Sequence, residues 1–231
     1  MSAVQVVVRS AISATAAIAA AAILLIAPAV GSGPSIIASA AADPCPDVEI
    51  VFARGTSEAP GIGRVGQALA DSLQAQLGGR TVDTYGVNYP ATYDFLAAAD
   101  GATDATNHIL GMAQQCPNTR IVLGGYSQGA AVVDMLVGIP PVGEKIGEIG
   151  SAPPLPGSVS GNVAAVAAFG NPATKFGNPV TAAPAPYGRR GIDLCNDGDP
   201  ICSRGRNPFA HTDYESTDMP GQAAGFVAGL I

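Results

Sequence analysis

The chain has 231 residues, a formal net charge of −7 and no tryptophan. It contains no run of basic residues, so neither a nucleic acid nor an anionic membrane surface is expected as its partner. Once a short N-terminal leader is set aside, its length suits one domain with a single hydrophobic core.

Residues 1–42 have the layout of a secretory signal peptide. They carry one arginine, no acidic residue and an apolar run from Ala16 to Val30, and Ala40 and Ala42 form an A-x-A cleavage site. An uncleaved membrane anchor is the alternative, but the run is alanine-rich and shorter than the roughly 20 residues that a spanning helix needs. We therefore expect cleavage to leave residues 43–231 as one secreted, extracellular domain without a membrane span. Whether this domain associates with the cell wall is left open.

The remaining chain alternates short apolar runs with amphipathic ones, and Val65, Leu69 and Leu73 mark the clearest helical face. In chain order, the pattern predicts a strand at 48–53, a helix at 63–77, a strand at 81–89, a helical stretch at 93–116 interrupted by Gly101, a strand at 120–125, a helix at 126–137, strands at 162–170 and 189–195, and a last helix at 220–231. This alternation implies βαβ units and an α/β fold with a mainly parallel sheet.

The segment 138–161 breaks the alternation. It contains five prolines and several glycines, a composition that allows neither a continuous helix nor a central strand. We expect a long surface excursion there, either at the rim of a pocket or as a tolerated insertion.

The segment GYSQG, residues 125–129, lies between an apolar strand and a helix and matches the G-x-S-x-G pattern of a nucleophile elbow. Glycines on both sides of the serine suit a tight turn, where larger side chains would collide with neighbouring backbone. The bare pattern is frequent in a chain with 29 glycines, so the strand and helix around it supply the specificity. We predict that Ser127 is a nucleophile, with free helix N–H groups behind it for an anion.

A serine hydroxyl needs a base to take its proton, and the chain has two histidines. His108 lies in a predicted helix, where an ordinary packed or surface histidine is expected. His211 lies downstream of Ser127, as the order serine, acid, histidine of α/β-hydrolases requires, and is the predicted base. The acidic residues between the two are Asp134, Glu144, Glu148, Asp193, Asp197 and Asp199.

Four of these acids are poor candidates for a triad. Asp134 lies two turns into the predicted helix, Glu144 and Glu148 belong to the excursion, and Asp193 precedes the end of its strand, whereas open parallel sheets place their sites beyond the carboxyl ends. Asp197 and Asp199 remain, bracketed by cysteines in CNDGDPIC. A calcium-binding loop is the alternative, but NDGD lacks the spaced ligands and terminal glutamate of an EF-hand.

Four cysteines in a secreted chain favour two disulfides, with three possible connectivities. Cys45, Cys116, Cys195 and Cys202 include no C-x-x-C pair, which argues against a zinc site. We therefore expect no metal.

The chain resembles the cutinase family, and its secreted bacterial branch in particular. Four ordered motifs carry the resemblance, RGTSE at 54–58, GYSQG at 125–129, CNDGDPIC at 195–202 and HTDY at 211–214. The resemblance implies a compact α/β-hydrolase fold with a five-stranded, mostly parallel sheet flanked by helices, and no lid domain. It also implies hydrolysis of carboxylic esters by a Ser-Asp-His triad.

Carried over to this chain, the resemblance makes Ser127 the nucleophile, His211 the general acid and base, and Asp199 the acid that orients His211. It places the oxyanion hole at the backbone N–H groups of Thr56 and Gln128. Read without the family, the loop around Thr56 would be ordinary, with a surface ion pair between its arginine and glutamate worth roughly 0–1 kcal/mol.

The resemblance further implies the disulfides Cys45–Cys116 and Cys195–Cys202. We expect neither a metal nor an organic cofactor, and a monomer that acts on small-molecule, lipid or polyester esters, with soluble short-chain esters reaching the serine directly. A phospholipase, thioesterase or acyltransferase acting on envelope lipids shares the same chemistry. A calcium-stabilised, non-catalytic binding protein is the alternative from another class. The excursion at 138–161 is longer and richer in proline than in the fungal pattern, which leaves the acyl-chain preference open.

Overall fold

The computed structural model describes residues 45–140 and 149–231. The predicted leader, residues 1–42, lies outside the described residues. So do two of the candidate acids, Glu144 and Glu148.

Five strands form the central sheet, β1 Val48–Ala53, β2 Val82–Gly86, β3 Arg120–Tyr126, β4 Val163–Phe169 and β5 Gly191–Leu194. Their order is β2-β1-β3-β4-β5, and every neighbouring pair is parallel. The α/β class with a five-stranded, mostly parallel sheet is confirmed, and the five described strands are parallel throughout.

The helices of the described residues are α1 Gly63–Gln76, α2 Ala98–Gln115, α3 Gln128–Val137, α4 Pro208–Thr212 and α5 Met219–Ala228. Side chains alternate between the two faces of β1, so Ile50 and Phe52 join the core under α1 and α5, while Val51 and Ala53 join the core under α2 and α3. Both faces of the sheet are therefore covered, as buried parallel strands require. None of the described helices is long and apolar enough to cross a membrane.

Helix α2 differs from the prediction because it runs through Gly101 without a break. A Cβ on Gly101 would lie 3.1 Å from the ring of Tyr89 and 3.1 Å from a methyl group of Val132. The glycine thus serves close packing of α2 against its neighbours, which a single helix pattern does not reveal. Strand β2 is also shorter than predicted, since β1, its one partner among the described strands, ends at Ala53.

The order of the strands reverses between β1 and β3, so the loops that leave their carboxyl ends diverge and open a crevice. Thr56 follows β1 and Ser127 follows β3 at this crevice. In the described parts of the excursion, residues 138–140 and 149–161, the regular structure is one 3-10 turn at Gly157–Val159. The topology therefore brings two predicted site residues to the same edge of the sheet.

Candidate active site

Ser127 occupies a strained turn between β3 and α3. Its backbone has φ 57° and ψ −116°, a region that residues other than glycine rarely adopt. A Cβ on Gly125 would lie 2.2 Å from the carbonyl oxygen of Gly129, and a Cβ on Gly129 would lie 1.9 Å from that of Ala53. Both positions therefore require glycine, for the steric reason that the sequence pattern suggested.

Ser127, His211 and Asp199 form one hydrogen-bonded chain. Ser127 Oγ lies 2.8 Å from His211 Nε2, and His211 Nδ1 lies 2.8 Å from Asp199 Oδ2. His211 belongs to the short helix α4, whose start is capped by the side chain of Asn207 accepting the N–H of Phe209. In this geometry the imidazole is within reach of the serine proton while its other nitrogen faces a carboxylate.

Asp199 is fully buried, and both of its oxygens face protein donors. Oδ2 accepts the hydroxyl of Tyr214 at 2.7 Å besides His211, and Oδ1 accepts the N–H of Ile201 at 2.7 Å. Burial alone would raise the pKa of Asp199, but the hydrogen bonds from His211, Tyr214 and Ile201 outweigh it and hold the pKa below its ordinary value. The side chain is therefore an ionised carboxylate at neutral pH.

The loop around Asp199 separates the two aspartates of NDGD. Asp197 is exposed to solvent, while the next residue, Gly198, takes a φ of +88° that turns the chain inward. A Cβ on Gly205 would lie 2.1 Å from the carbonyl oxygen of Gly198, so the backbone at Gly205, where the loop returns, packs tightly on this bend. Among the described residues, no three His, Cys, Asp or Glu side chains are grouped in a way that would hold a metal. The geometry favours one inward acid over a cation-binding loop.

Asp134 and Asp193 lie away from His211 and are joined by Asn171. The Nδ2 group of Asn171 donates to Asp134 Oδ1 at 3.0 Å and to Asp193 Oδ2 at 3.0 Å. Burial and the neighbouring charge of Asp193 hold the pKa of Asp134 well above its ordinary value, and burial also raises the pKa of Asp193. These acids tie α3 and β5 together through the loop that follows β4.

His108 is a half-buried residue of α2 that contacts side chains of β1 and β2. Its Nε2 lies 3.0 Å from Glu49 Oε1, and its ring stacks on Tyr85 with centroids 3.5 Å apart. The structure thus places it as a packed histidine, apart from Ser127.

Thr56 and Gln128 both line the cavity that contains Ser127 and His211. Gln128 is the first residue of α3, and the first N–H groups of a helix have no acceptor within it, so this N–H is available to an anion. Thr56 Oγ1 donates to Gln128 Oε1 at 3.0 Å, which links the loop after β1 to the start of α3.

Glu58, which the sequence argument missed, holds the loop that carries Thr56. Its Oε2 accepts the N–H of Gly55 at 2.7 Å, and its Oε1 accepts the N–H of Arg64 at 3.1 Å. The expected surface pair with Arg54 is absent, because Arg54 is buried and donates to the carbonyl oxygen of Glu58 at 2.9 Å rather than to its carboxylate. The only sequence signal for Glu58 was its place at the end of RGTSE.

We expect Glu58→Gln to lower kcat for p-nitrophenyl butyrate by roughly 10- to 100-fold. The N–H₂ group of the amide cannot accept a hydrogen bond from a backbone N–H, so the loop that carries Thr56 should shift. KM should change little, since the acyl-binding side chains remain. Steady-state kinetics on a variant shown to be folded by circular dichroism measure this. The exposed carboxylate variant Asp83→Asn is the control, and an unchanged kcat in Glu58→Gln would contradict the positioning role.

Two tyrosines that the sequence argument did not single out support His211 and Asp199. The hydroxyl of Tyr126 donates to the carbonyl oxygen of His211, and the hydroxyl of Tyr214 accepts the N–H of Asn196 at 2.9 Å while it donates to Asp199. Burial raises the pKa of both phenols above the ordinary value, so both remain protonated donors at neutral pH. Tyr126 is the second residue of GYSQG, and Tyr214 is the last residue of HTDY.

The catalytic pocket, as we call the cavity around Ser127 and His211, has a volume of about 300 Å³. Its apolar wall consists of Tyr93, Phe95, Ile149, Pro172 and Ile201. Tyr93 is 79% exposed and lies at the open side. The excursion therefore contributes at least one side chain, Ile149, to the wall of this pocket.

Two disulfides are present, and the described residues contain no free cysteine. Cys45 and Cys116 are joined across 71 positions, which ties the start of β1 to the end of α2. Cys195 and Cys202 are joined across 7 positions and close the loop that carries Asp199.

The two disulfides are expected to differ in what their removal changes. Because closing a longer loop restricts the unfolded chain more, Cys45→Ser with Cys116→Ser should cost about 4 kcal/mol of unfolding free energy, and Cys195→Ser with Cys202→Ser about 2.5 kcal/mol. The second pair should nevertheless lower kcat more, since it frees the loop of Asp199. Urea unfolding and ester hydrolysis measure the two effects, and equal losses of kcat in both double variants would contradict this assignment.

The family model described as Cutinase matches residues 44–231. A relative from Mycobacterium tuberculosis, phospholipase Culp4, is 50% identical over 219 residues, which cover 95% of this chain and 91% of that protein. Carboxylesterase Culp1 of the same organism is 44% identical over 208 residues, which cover 87% of this chain and 88% of that protein.

Solved structures show the same likeness. The Trichoderma reesei cutinase in complex with a phosphonate inhibitor is 36% identical with a TM-score of 0.64, and the alignment covers 81% of this chain and 78% of that one. The catalytic core domain of the acetyl xylan esterase from Trichoderma reesei has a TM-score of 0.66 at 23% identity and covers 81% and 100% of the two chains, a likeness of fold alone.

Proposed function

The chain belongs to the cutinase family of carboxylic ester hydrolases, and we propose that it cleaves its esters through Ser127, His211 and Asp199 by way of an acyl-enzyme. The observation that carries this proposal is the unbroken chain of two 2.8 Å contacts from Ser127 Oγ through the imidazole to the buried carboxylate. A serine so connected has a base to take its proton and an acid to stabilise the imidazolium that results.

In the first half of the cycle, Ser127 Oγ attacks the ester carbonyl carbon while His211 Nε2 takes its proton. The carbonyl oxygen becomes an oxyanion held by the N–H groups of Thr56 and Gln128, and loss of one such donor typically costs roughly 10²–10³ in rate. The bond to the alkoxy oxygen then breaks, and His211 returns the proton to the departing alcohol.

In the second half, a water molecule replaces the alcohol. His211 takes one proton from this water as its oxygen attacks the acyl carbon, and the same N–H groups hold the second oxyanion. Collapse of this intermediate releases the carboxylic acid and returns the proton to Ser127 Oγ. The ionised Asp199 balances the imidazolium charge in both halves.

The acyl group fits the apolar wall of the catalytic pocket. A volume of about 300 Å³ with Phe95, Ile149 and Ile201 on its surface suits short- and medium-chain acyl groups. Ser127 is partly exposed, which supports attack on soluble esters without a lipid interface.

A phospholipase is the second candidate function, favoured by the 50% identity to a protein named phospholipase Culp4. The chemistry would be unchanged, since phospholipid acyl groups are also carboxylic esters. We further propose that the protein is secreted and monomeric. Two disulfides support secretion, because such bonds persist in oxidising compartments and are rare in the cytosol.

A substrate panel separates these functions. p-Nitrophenyl esters from acetate to palmitate, run beside a phospholipid and a polyester, should show the highest kcat/KM for the short and medium chains. A fluorophosphonate probe should label the wild type, with or without a metal chelator, and should fail to label Ser127→Ala. Equal labelling of Ser127→Ala, or hydrolysis of none of the esters, would contradict the proposal.

A further inference from the structure

Three polar side chains meet near the carboxyl ends of β4 and β5, beside the catalytic pocket. Asn171 belongs to the loop after β4, Asp134 to α3 and Asp193 to β5. Asn171 is fully buried, and its side chain uses both of its ends, since Nδ2 donates to both carboxyl groups and Oδ1 accepts the N–H of Ala173 at 2.8 Å. A buried side chain with all its hydrogen bonds made holds the backbone from which it projects.

The corner segment, as we call residues 170–172, lies between His211 and the apolar wall of the catalytic pocket. Gly170 has φ +57°, and a Cβ there would lie 3.0 Å from His211 Cε1 and 3.2 Å from its Nδ1. The backbone of Gly170 is therefore in direct contact with the imidazole. At the other end of the segment, Pro172 lines the pocket. A shift of this segment would move a support of the base and a part of the acyl wall together.

The two acids connect the corner segment to the elements that carry the rest of the triad. Asp134 lies in α3, which begins directly after Ser127, and Asp193 lies in β5, which leads into the loop of Asp199. Asp193 Oδ1 also accepts the hydroxyl of Thr174 at 2.7 Å. The network thus joins the helix behind the nucleophile, the strand before the acid and the segment beside the base.

We infer that Asn171 is a positioning residue, which holds the corner segment against His211 and against the acyl group and so raises both the rate and the preference for butyrate over acetate esters. The inference rests on the proposed function and deepens it. Asn171 acts through its two neighbours in the chain. Displacement of a base lowers the rate because proton transfer depends on distance, and each CH₂ group of the acyl chain contributes only while the wall contacts it.

Asn171→Ala is the direct test. For p-nitrophenyl acetate, kcat per active site should fall roughly tenfold. The ratio of kcat/KM for p-nitrophenyl butyrate to that for the acetate should fall about threefold, because part of the contact with the two additional CH₂ groups is lost. Active sites are counted by titration with a fluorophosphonate. A purely structural role would lower the rates for both esters by the same factor and leave the ratio unchanged.

Thr174→Val is a milder test, because it removes one hydrogen bond from the network at a partly exposed position and keeps the shape of the side chain. The butyrate-to-acetate ratio should fall about twofold. Thr119→Val is the matched control. It makes the same chemical change just before β3, at the opposite edge of the sheet, where the hydroxyl of Thr119 donates to the carbonyl oxygen of Pro46 at 2.6 Å. This control should leave the ratio unchanged.

Asp134 allows a rescue by a conservative change. Burial holds the pKa of Asp134 well above its ordinary value, which favours the neutral carboxyl, and its Oδ2 accepts no hydrogen bond from any described residue. In Asp134→Asn the amide oxygen can therefore accept the same N–H of Asn171, and the ratio should stay within about 1.5-fold of the wild type. Asp134→Ala removes this contact and should lower the ratio about twofold.

The outcomes separate the two proposals. Equal ratios in the wild type, Asn171→Ala and Thr174→Val overturn the inference while the proposed function stands. An equal fall in Thr174→Val and Thr119→Val, or in Asp134→Asn and Asp134→Ala, overturns it as well, since neither depends on the hydrogen bonds of Asn171. If Asn171→Ala does not fold, the threonine pair and the Asp134 pair decide in the same way. If the wild type hydrolyses neither ester, the proposed function fails and the inference fails with it.

Discussion

Replacement of Ser127 by alanine is expected to lower kcat for a p-nitrophenyl ester by roughly 10⁶-fold, to the rate that binding and oxyanion stabilisation alone support. The loss is this large because Oγ is the only atom on the strained turn that can form the acyl-enzyme, and His211 then has no proton to take. Steady-state rates on protein whose fold is verified by circular dichroism measure the effect.

Ser158→Ala is the matched control for this change. Ser158 is an exposed serine in the described part of the excursion, and its loss should leave kcat unchanged. Retention of more than about one per cent of wild-type kcat in Ser127→Ala would be too much for a triad nucleophile and would contradict its assignment.

The second large effect is expected for Asp199→Asn, with a fall in kcat of roughly 10⁴-fold. An amide in place of the carboxylate no longer stabilises the imidazolium. Its N–H₂ group also faces either the donors of His211 and Tyr214 or the N–H of Ile201. Asp197→Asn should change kcat by less than about twofold, because that side chain is exposed and outside the hydrogen-bonded chain. The reverse outcome would place the triad acid two residues upstream.

The same carboxylate should give the protein a pH-dependent stability. Folding lowers the pKa of the Asp199 carboxyl, so its charged form stabilises the folded protein at pH values above the pKa that Asp199 has in the unfolded chain. This contribution is lost as the pH falls through the lower pKa that Asp199 has in the folded protein. The unfolding free energy of the wild type should therefore exceed that of Asp199→Asn most at neutral pH. Urea titrations should show the difference narrowing below the ordinary pKa of 3.8, and a difference that widens on acidification would contradict the assignment.

The family resemblance is confirmed by the match to residues 44–231, and the four motifs that carried it are readable because each is short and local. Periodicity likewise predicted the alternation of strands and helices. It failed at Gly101, where the glycine signal usually marks a break, because the reason for that glycine is contact with Tyr89 and Val132 on other elements. Glu58 and Tyr214 were missed for the same reason, since their partners are set by packing.

The sequence by itself determined the α/β alternation, because that pattern depends on side chains within a few positions of one another. It also marked the serine turn through the two glycines of GYSQG, although the carbonyl oxygen that Gly129 must avoid belongs to Ala53 of β1. The family resemblance named Asp199, but only the tertiary structure shows the physical reason that this aspartate, and not Asp197, faces His211. Asp197 and Asp199 stand in nearly identical local sequence, and they differ because the bend at Gly198, the Cys195–Cys202 bond and the hydroxyl of Tyr214 draw one carboxylate inward.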